Sequence, residues 1–235
     1  MTGTARNDGP GLARAVTGET AQRIYRGRFD EADRAAKAAV WRVVVADGLQ
    51  RWIPPQAAVL DIGCGYGEFL NHVRAARRIG VDINPDSRAA LDRGIEFHAG
   101  DVRELSFLPD ASVDVVFTSN LLEHLPSKHD VELLLGEARR VLKRGGHLIA
   151  LGPNLRFLPG VYWDFWDHLT PITDRSLVEV LESLELRPVD VIPRWLPYTT
   201  CSALPRAPWM VKLYLRVPLV WRFLGGQFLI RAQKP

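Results

Sequence analysis

The chain has 235 residues, 47% of them hydrophobic and 24% charged, with a formal net charge of +3 and a pI near 9.0. That length suits one domain with appendages and a substantial core, and the composition is that of a globular protein. The basic excess is small and gathers in no dense stripe, which argues against nucleic acid as a partner; two cysteines, Cys64 and Cys201, make a reduced, cytoplasmic setting the simpler reading.

Residues 1–18 are polar and carry Gly3, Gly9, Gly11 and Gly18, without the apolar stretch of a signal peptide; a disordered leader is expected. Residues 19–52 read as helical. Val40, Trp41, Val44, Val45 and Leu49 recur at helical spacing before Pro54 and Pro55 stop the pattern, and Tyr25 and Arg28, ahead of them, read as surface packing. From 55 to 152 short apolar runs alternate with helical stretches, the pattern of a parallel sheet covered by helices on both faces.

The most informative run is Val59 to Leu70, which reads as a buried strand, a glycine-rich turn and then a helix. Gly63, Gly65 and Gly67 let the backbone turn sharply and approach a ligand, and Asp61 sits at the end of the strand. The glycines do not follow the dinucleotide fingerprint, because Glu68 stands where its last glycine belongs. An acid at Asp61 would repel a pyrophosphate and suits a cationic group such as an amino-acid ammonium.

Further along, Ile79 to Asp82 reads as a second strand ending in an acid, and Pro85 to Leu91 as the helix after it. His98 to Val102 ends a third strand, with Asp101 at its tip, and Val113 to Asn120 forms a fourth, running into Leu121-Leu-Glu-His-Leu125. Residues 129–143 should form a helix whose buried stripe is Leu133, Leu134, Leu135, Ala138, Val141 and Leu142, followed by Gly145-Gly146 and a fifth strand. Residues 174–185 form another helix, with Asp174 as N-cap and Leu177, Val178, Leu181 and Leu184 facing inward.

This order of motifs resembles the class I S-adenosylmethionine (SAM) dependent methyltransferases, and the resemblance covers roughly residues 55 to 190. It implies a Rossmann-like doubly wound α/β fold with a seven-stranded sheet. Residues 19–54 would be a helical lid over the SAM pocket, 55–192 the SAM-binding core, 193–226 an apolar insertion and 227–235 the last strand. Leu186 to Ile192 and Gln227 to Ala232 would be the antiparallel pair that closes the sheet. The resemblance implies that Asp61 orients the contacts of the amino-acid end through the loop, with Gly63 and Gly65 giving backbone approach. Asp82, with Ile83 beside it, would take the ribose hydroxyls, Asp101 with Val102 the adenine, and Asn120 the methionine end.

Glu123 and His124 follow the fourth strand, where this fold points groups at the transferring methyl, and three roles are open for them. They could act as base or substrate orienter, ligate a metal, or serve structure. The pair also resembles metal-using O-methyltransferase branches, which implies a site for Mg²⁺ or another divalent ion at Glu123, His124 and His168. Asp164 and Asp167 could add oxygen ligands, but Asn120 stands where those branches carry an acid. Catalytic candidates are thus His124, Glu123 and His168.

Two segments exceed the minimal fold. Pro153 to Pro171 leaves the fifth strand with Tyr162, Trp163, Phe165 and Trp166 interleaved with acids, which suits a sugar-like or planar acceptor. Residues 193–226 are very apolar but broken by Pro205, Pro208 and Pro218, and fall short of the roughly 20 uninterrupted apolar residues of a membrane span. A cap over the acceptor, a homodimer surface, or peripheral membrane contact through 205–224 are the readings for this part. The expected reaction is SAM-dependent methylation, most simply of a hydroxyl on a glycan or small molecule. A lipid-linked or apolar acceptor and a non-catalytic SAM-binding module are the alternatives.

Overall fold

A computed structural model describes residues 31–198 and 207–235. The expected leader, the first part of the leading helix with Tyr25 and Arg28, and Cys201 lie outside the described residues.

Helix α1 (Glu31–Val43) continues into a wider π-helical turn (Val44–Leu49) and a 3-10 turn (Gln50–Trp52). Strands β1 (Ala58–Ile62), β2 (Arg77–Asp82), β3 (Glu96–Ala99), β4 (Val113–Ser119) and β5 (Leu142–Pro153) follow, with the short helix α2 (Ser87–Ala90) between β2 and β3. Helix α3 (Lys128–Val141) precedes β5, and α4 (Asp174–Ser183) precedes β6 (Arg187–Leu196). Helices α5 (Pro208–Arg216) and α6 (Pro218–Leu224) lead into β7 (Gln227–Gln233).

The seven strands form one sheet in the order β3-β2-β1-β4-β5-β7-β6. β1 to β5 are parallel to one another, and β7 runs antiparallel to both β5 and β6. The order reverses between β1 and β4, and the crevice at the carboxyl ends of strands on either side of such a switch point is where this architecture binds ligands. The expected doubly wound, seven-stranded fold is therefore present.

Both faces of the sheet are apolar and covered, as parallel sheets require. On one face Leu60, Ile62, Val116, Leu148 and Ile230 pack with the inward stripes of α3 and α4. On the other, Val59, Phe69, Phe117 and Ile149 pack with Val44, Val45 and Leu49 behind α1. Phe69 stacks on Phe117 at 3.9 Å between ring centroids.

Several local expectations are corrected. The segment after the glycine turn is not a regular helix. Asn71 and Val73 donate backbone bonds to the carbonyls of Gly67 and Phe69, and the chain then unwinds toward β2. Gln50 stops it there, its side chain accepting from Arg74 N (2.9 Å) and donating to Arg74 O (3.0 Å). In α3, Leu133 is exposed, and Val131 fills the buried stripe instead; Leu142 already belongs to β5. The N-cap of α4 is Thr173, in a reciprocal capping box with Ser176. Asp174 is buried one residue inside, where its carboxylate accepts from Asn154 Nδ2 (2.8 Å) and Arg156 Nη1 (2.8 Å). Pro208 and Pro218, read as helix breakers, each occupy the first turn of a helix, where the missing N–H needs no partner.

Gly67 shows how tightly the turn is built. Its φ of +80° is a conformation L side chains rarely adopt, and an added Cβ would lie 2.6 Å from Leu91 Cδ2. We expect Gly67→Ala to destabilise the fold by ~2–4 kcal/mol, combining left-handed strain with overpacking. Urea denaturation, with a lowered midpoint at unchanged slope, is the check.

Candidate active site

The carboxyl ends of β1, β2 and β4 meet at the switch point, with Ile62 registered against Val81 on one side and Thr118 on the other. Gly63 N and Cys64 N both donate to Val81 O, at 2.9 and 3.2 Å, which folds the turn back over β2. Gly63 has φ +74°, and a Cβ there would meet Leu121 Cδ2 at 2.9 Å, so the turn and the segment after β4 are in close contact. Helix α1 is tied to the same turn: Lys37 Nζ lies 2.7 Å from Glu68 Oε1, and the Arg34 guanidinium sits 4.6 Å from the centroid of the Tyr66 ring.

Asp82 locks the turn to β2. Its Oδ2 accepts from Gly65 N and its Oδ1 from Asn84 N, both at 2.8 Å. Burial pushes the Asp82 carboxyl up, and the two amides partly offset that. Each oxygen keeps a further acceptor site, so the group can still receive hydroxyl donors. Ile83 beside it is 49% exposed, unusual for an isoleucine, and so available to pack on a ligand.

At the tip of β3, Asp101 is exposed and gripped by Arg103, whose Nε lies 2.9 Å from Oδ1; that bond holds the Asp101 carboxyl below its ordinary range. Arg103 also reaches Asp130 on α3, so the β3 tip is braced against that helix. Val102 is buried. An acceptor role for Asp101 therefore has to be shared with Arg103.

Asp61 is 2% exposed, and burial holds its carboxyl well above the usual value, with Glu68 and then Asp82 adding repulsion. A raised carboxyl pKa means that the folded state binds the proton more tightly than the unfolded chain does. Its contribution to stability is full below the unfolded value and is lost as pH rises toward and through the folded one, at about 1.4 kcal/mol for each pH interval of one between the two values. Asp61→Asn should therefore raise the melting temperature of the ligand-free protein above neutral pH and flatten its decline with pH. Parallel melting curves for the two proteins would contradict this. Burial also raises the thiol of Cys64, so this cysteine is no nucleophile.

Beyond β4 the backbone changes direction at Asn120, whose φ is +48°; its Nδ2 donates to Ser119 Oγ (3.0 Å) while its Oδ1 is buried with no hydrogen-bond partner. A 3-10 turn, Leu122–His124, then presents Glu123 and His124. Glu123 is 2% exposed and lies over β5, its Oε2 3.7 Å from where a Cβ on Gly152 would be. Burial raises its carboxyl, and its Oε1 has no hydrogen-bond partner.

The loop after β5 folds back onto this turn. Leu169 N and Thr170 N donate to Glu123 O at 2.8 and 3.0 Å, and Thr170 Oγ1 donates to Leu125 O at 2.6 Å. These bonds place His168, 5% exposed, with its ring centroid 5.0 Å from that of His124. One ligand atom from each of Glu123, His124 and His168 lies within 4.8 Å of the others. The three residues singled out from sequence thus converge, whereas Asp164 is exposed and outside the group.

His124 Nδ1 lies 2.8 Å from Asp167 O. A carbonyl only accepts, so Nδ1 carries the proton and Nε2 presents its lone pair. Nε2 stands 3.9 Å from Glu123 Oε1, and Asp167 Oδ2 is 3.4 Å from Nδ1. The arrangement fixes one tautomer, with the basic nitrogen on the side of Glu123.

The aromatic loop divides differently from its expected role. Tyr162 is fully buried, donating from its hydroxyl to Thr170 O and accepting from Ile172 N (3.1 Å), so it supports the loop rather than facing an acceptor. Trp163 and Trp166 are 51% and 85% exposed. The rings near His168 are Phe165, stacked at 4.9 Å, and Tyr198, whose hydroxyl is 3.5 Å from His168 Nε2. Tyr198 was legible only as one more aromatic of the apolar segment; its placement follows from β6 running back beside the loop.

Residues 60–150 match the methyltransferase domain family. The chain is 32% identical over 148 residues to a 27-O-demethylrifamycin SV methyltransferase of Amycolatopsis mediterranei, covering 57% of this chain and 52% of that protein. It is 34% identical over 158 residues to a 2-methyl-6-phytyl-1,4-hydroquinone methyltransferase of Synechocystis, covering 61% and 48%. The chain thus spans about half the length of these curated relatives. A SAM-dependent methyltransferase structure from Archaeoglobus fulgidus shares the fold, with a TM-score of 0.63 at 23% identity over 91% of this chain and 99% of that one. Residues 60–150 thus carry a methyltransferase domain, within a fold shared with SAM-dependent methyltransferases of known structure.

Proposed function

We propose that this protein transfers the methyl group of SAM to a hydroxyl of a small molecule or glycan by direct displacement. The observation that carries the reading is the tautomer of His124, fixed by Asp167 O. A hydroxyl needs its proton removed as the sulfonium methyl arrives, and a histidine whose Nε2 keeps its lone pair suits that task. The bond from oxygen to methyl carbon forms as the bond from carbon to sulfur breaks; the proton goes to Nε2, and S-adenosylhomocysteine leaves. The A. mediterranei relative, whose name places its methyl on an oxygen, supports the choice of atom. Screening hydroxylated acceptors with methyl-labelled SAM tests it, each hit paired with its methyl ether. Label transfer to hydroxyl compounds but not to their ethers is expected; transfer to carbon or nitrogen alone would overturn the reading.

A second reading has its own observation, the buried Oε1 of Glu123 without a partner beside two imidazoles. One carboxylate and two imidazole nitrogens fit a divalent ion, and suit zinc or manganese better than the all-oxygen preference of Mg²⁺. Glu123, His124 and His168 would hold it, and it would lower the pKa of an acceptor hydroxyl in place of a base. Equilibrium dialysis of zinc and manganese against wild type and Glu123→Gln distinguishes the two; binding that survives Glu123→Gln would remove this reading.

A further inference from the structure

The charge of this chain is segregated along its length. All 27 acidic residues precede residue 191, whereas seven of the 30 basic residues follow it, so the last 45 residues carry cations and no acid. Helices α5 and α6 lie in that acid-free part. Their inward side is Leu215, with Val211, Tyr214 and Trp221 packed against Val44, Leu49 and Trp195. Tyr214 Oη donates to Trp195 O (2.6 Å) and Trp221 Nε1 to Tyr214 O (2.8 Å), so the pair is pinned to the domain. Their outward side is apolar: Trp209 is 68%, Leu213 58%, Leu219 63% and Phe223 73% exposed. Among these stand Lys212, Arg216 and Arg222, one helical turn from an exposed apolar side chain each. Lys212 has an acidic neighbour on the π-helical turn, Asp47 at 3.4 Å.

We infer that the outward face of α5 and α6 docks on an anionic membrane surface, with Trp209, Leu213, Leu219 and Phe223 entering the headgroup boundary and Lys212, Arg216 and Arg222 meeting lipid phosphates. Exposed apolar side chains of this size and number on one short segment mark an interaction site. The charge pattern selects the partner. A second copy docked through the same patch would bring three more cations against these three and no acid of α5 or α6 to meet them, since a two-fold contact pairs a surface with itself. A negatively charged leaflet complements the same pattern, and an aromatic-rich apolar face with basic neighbours is how helices lie in a membrane interface. No helix among the described residues is long and apolar enough to cross a membrane, so the contact is peripheral. The patch is linked to the loop that holds His168: β6 carries Trp195 beneath α5, and Tyr198 just beyond it reaches His168.

Flotation of the full chain with vesicles tests this. Vesicles of phosphatidylcholine mixed with phosphatidylglycerol should carry the protein up the gradient at low salt, and pure phosphatidylcholine should not. Trp209→Ala/Phe223→Ala and Lys212→Glu/Arg216→Glu/Arg222→Glu should each reduce flotation by at least about ten-fold. All these side chains are solvent-facing, and retained S-adenosylhomocysteine affinity in the variants shows that the fold is intact. Absence of flotation with anionic vesicles would overturn the inference, as would flotation that both variants leave unchanged. Sedimentation as a dimer that Phe223→Ala dissociates, without flotation, would assign the face to self-association instead.

Discussion

His124→Ala should lower the turnover number for a hydroxyl acceptor by roughly 10²–10⁴-fold, the range for removing a positioned general base, while leaving SAM affinity within a few fold. The direction follows from geometry. Nδ1–H is committed to Asp167 O, so the side chain can act only through Nε2. A base acts in the transition state and contributes little to cofactor binding, so kcat falls rather than the affinity for SAM. Steady-state kinetics of the wild type and the variant, with and without EDTA, are the measurement. A rate indifferent to EDTA together with loss in His124→Ala establishes the base. Loss with EDTA, matched by similar losses in His168→Ala and Glu123→Gln, establishes the ion instead.

The second large effect concerns the cofactor. Asp82→Ala removes the carboxylate we propose as acceptor for ribose hydroxyls and also strands Gly65 N, which that carboxylate now receives at 2.8 Å. Losing charge-assisted hydrogen bonds of this kind costs about 1.5–3 kcal/mol, or roughly ten- to a hundred-fold in the dissociation constant. Asp82→Asn keeps an acceptor for the Gly65 amide but not the charge, and should fall between wild type and Asp82→Ala. Calorimetric titration of SAM into the three proteins reads both steps. Unchanged affinity in Asp82→Ala would mean that the ribose is held elsewhere.

How far the sequence carried depended on the kind of signal. β1, β2 and β4 were legible because each holds a short apolar run bounded by turn residues, and fully covered parallel strands leave few other readings; β3 has no buried residue and carries no such signal. The glycine turn was legible because its spacing is a backbone requirement, and Gly63 and Gly67 both have positive φ. What followed it was not: helical periodicity at 68–73 does not reveal that Gln50 will clamp Arg74 and end the segment. The prolines of 208–224 misled in the opposite direction, since a proline that starts a helix and one that breaks it look alike without knowledge of the boundary. Thr173 was missed as a cap because Ser176, rather than Glu or Gln, completes its box.

Within the site, Glu123, His124 and His168 were singled out by resemblance, and the structure gathers them through the bonds from Leu169 N and Thr170 N to Glu123 O. The contact that decides how His124 works is to a backbone carbonyl, which any residue at position 167 would supply, so no side-chain pattern could have announced it. The division of the aromatic loop into buried Tyr162 and exposed Trp163 and Trp166 was hidden for a similar reason: composition shows an aromatic loop, and only packing shows which ring is beneath it.

The proposed function requires a SAM pocket at the ends of β1, β2 and β4, and the most direct test is calorimetric titration of S-adenosylhomocysteine into the full chain with EDTA present. Binding at one site with a dissociation constant in the micromolar range, about −8 kcal/mol, is the predicted result. A folded protein that gives no heat with either S-adenosylhomocysteine or SAM would contradict it.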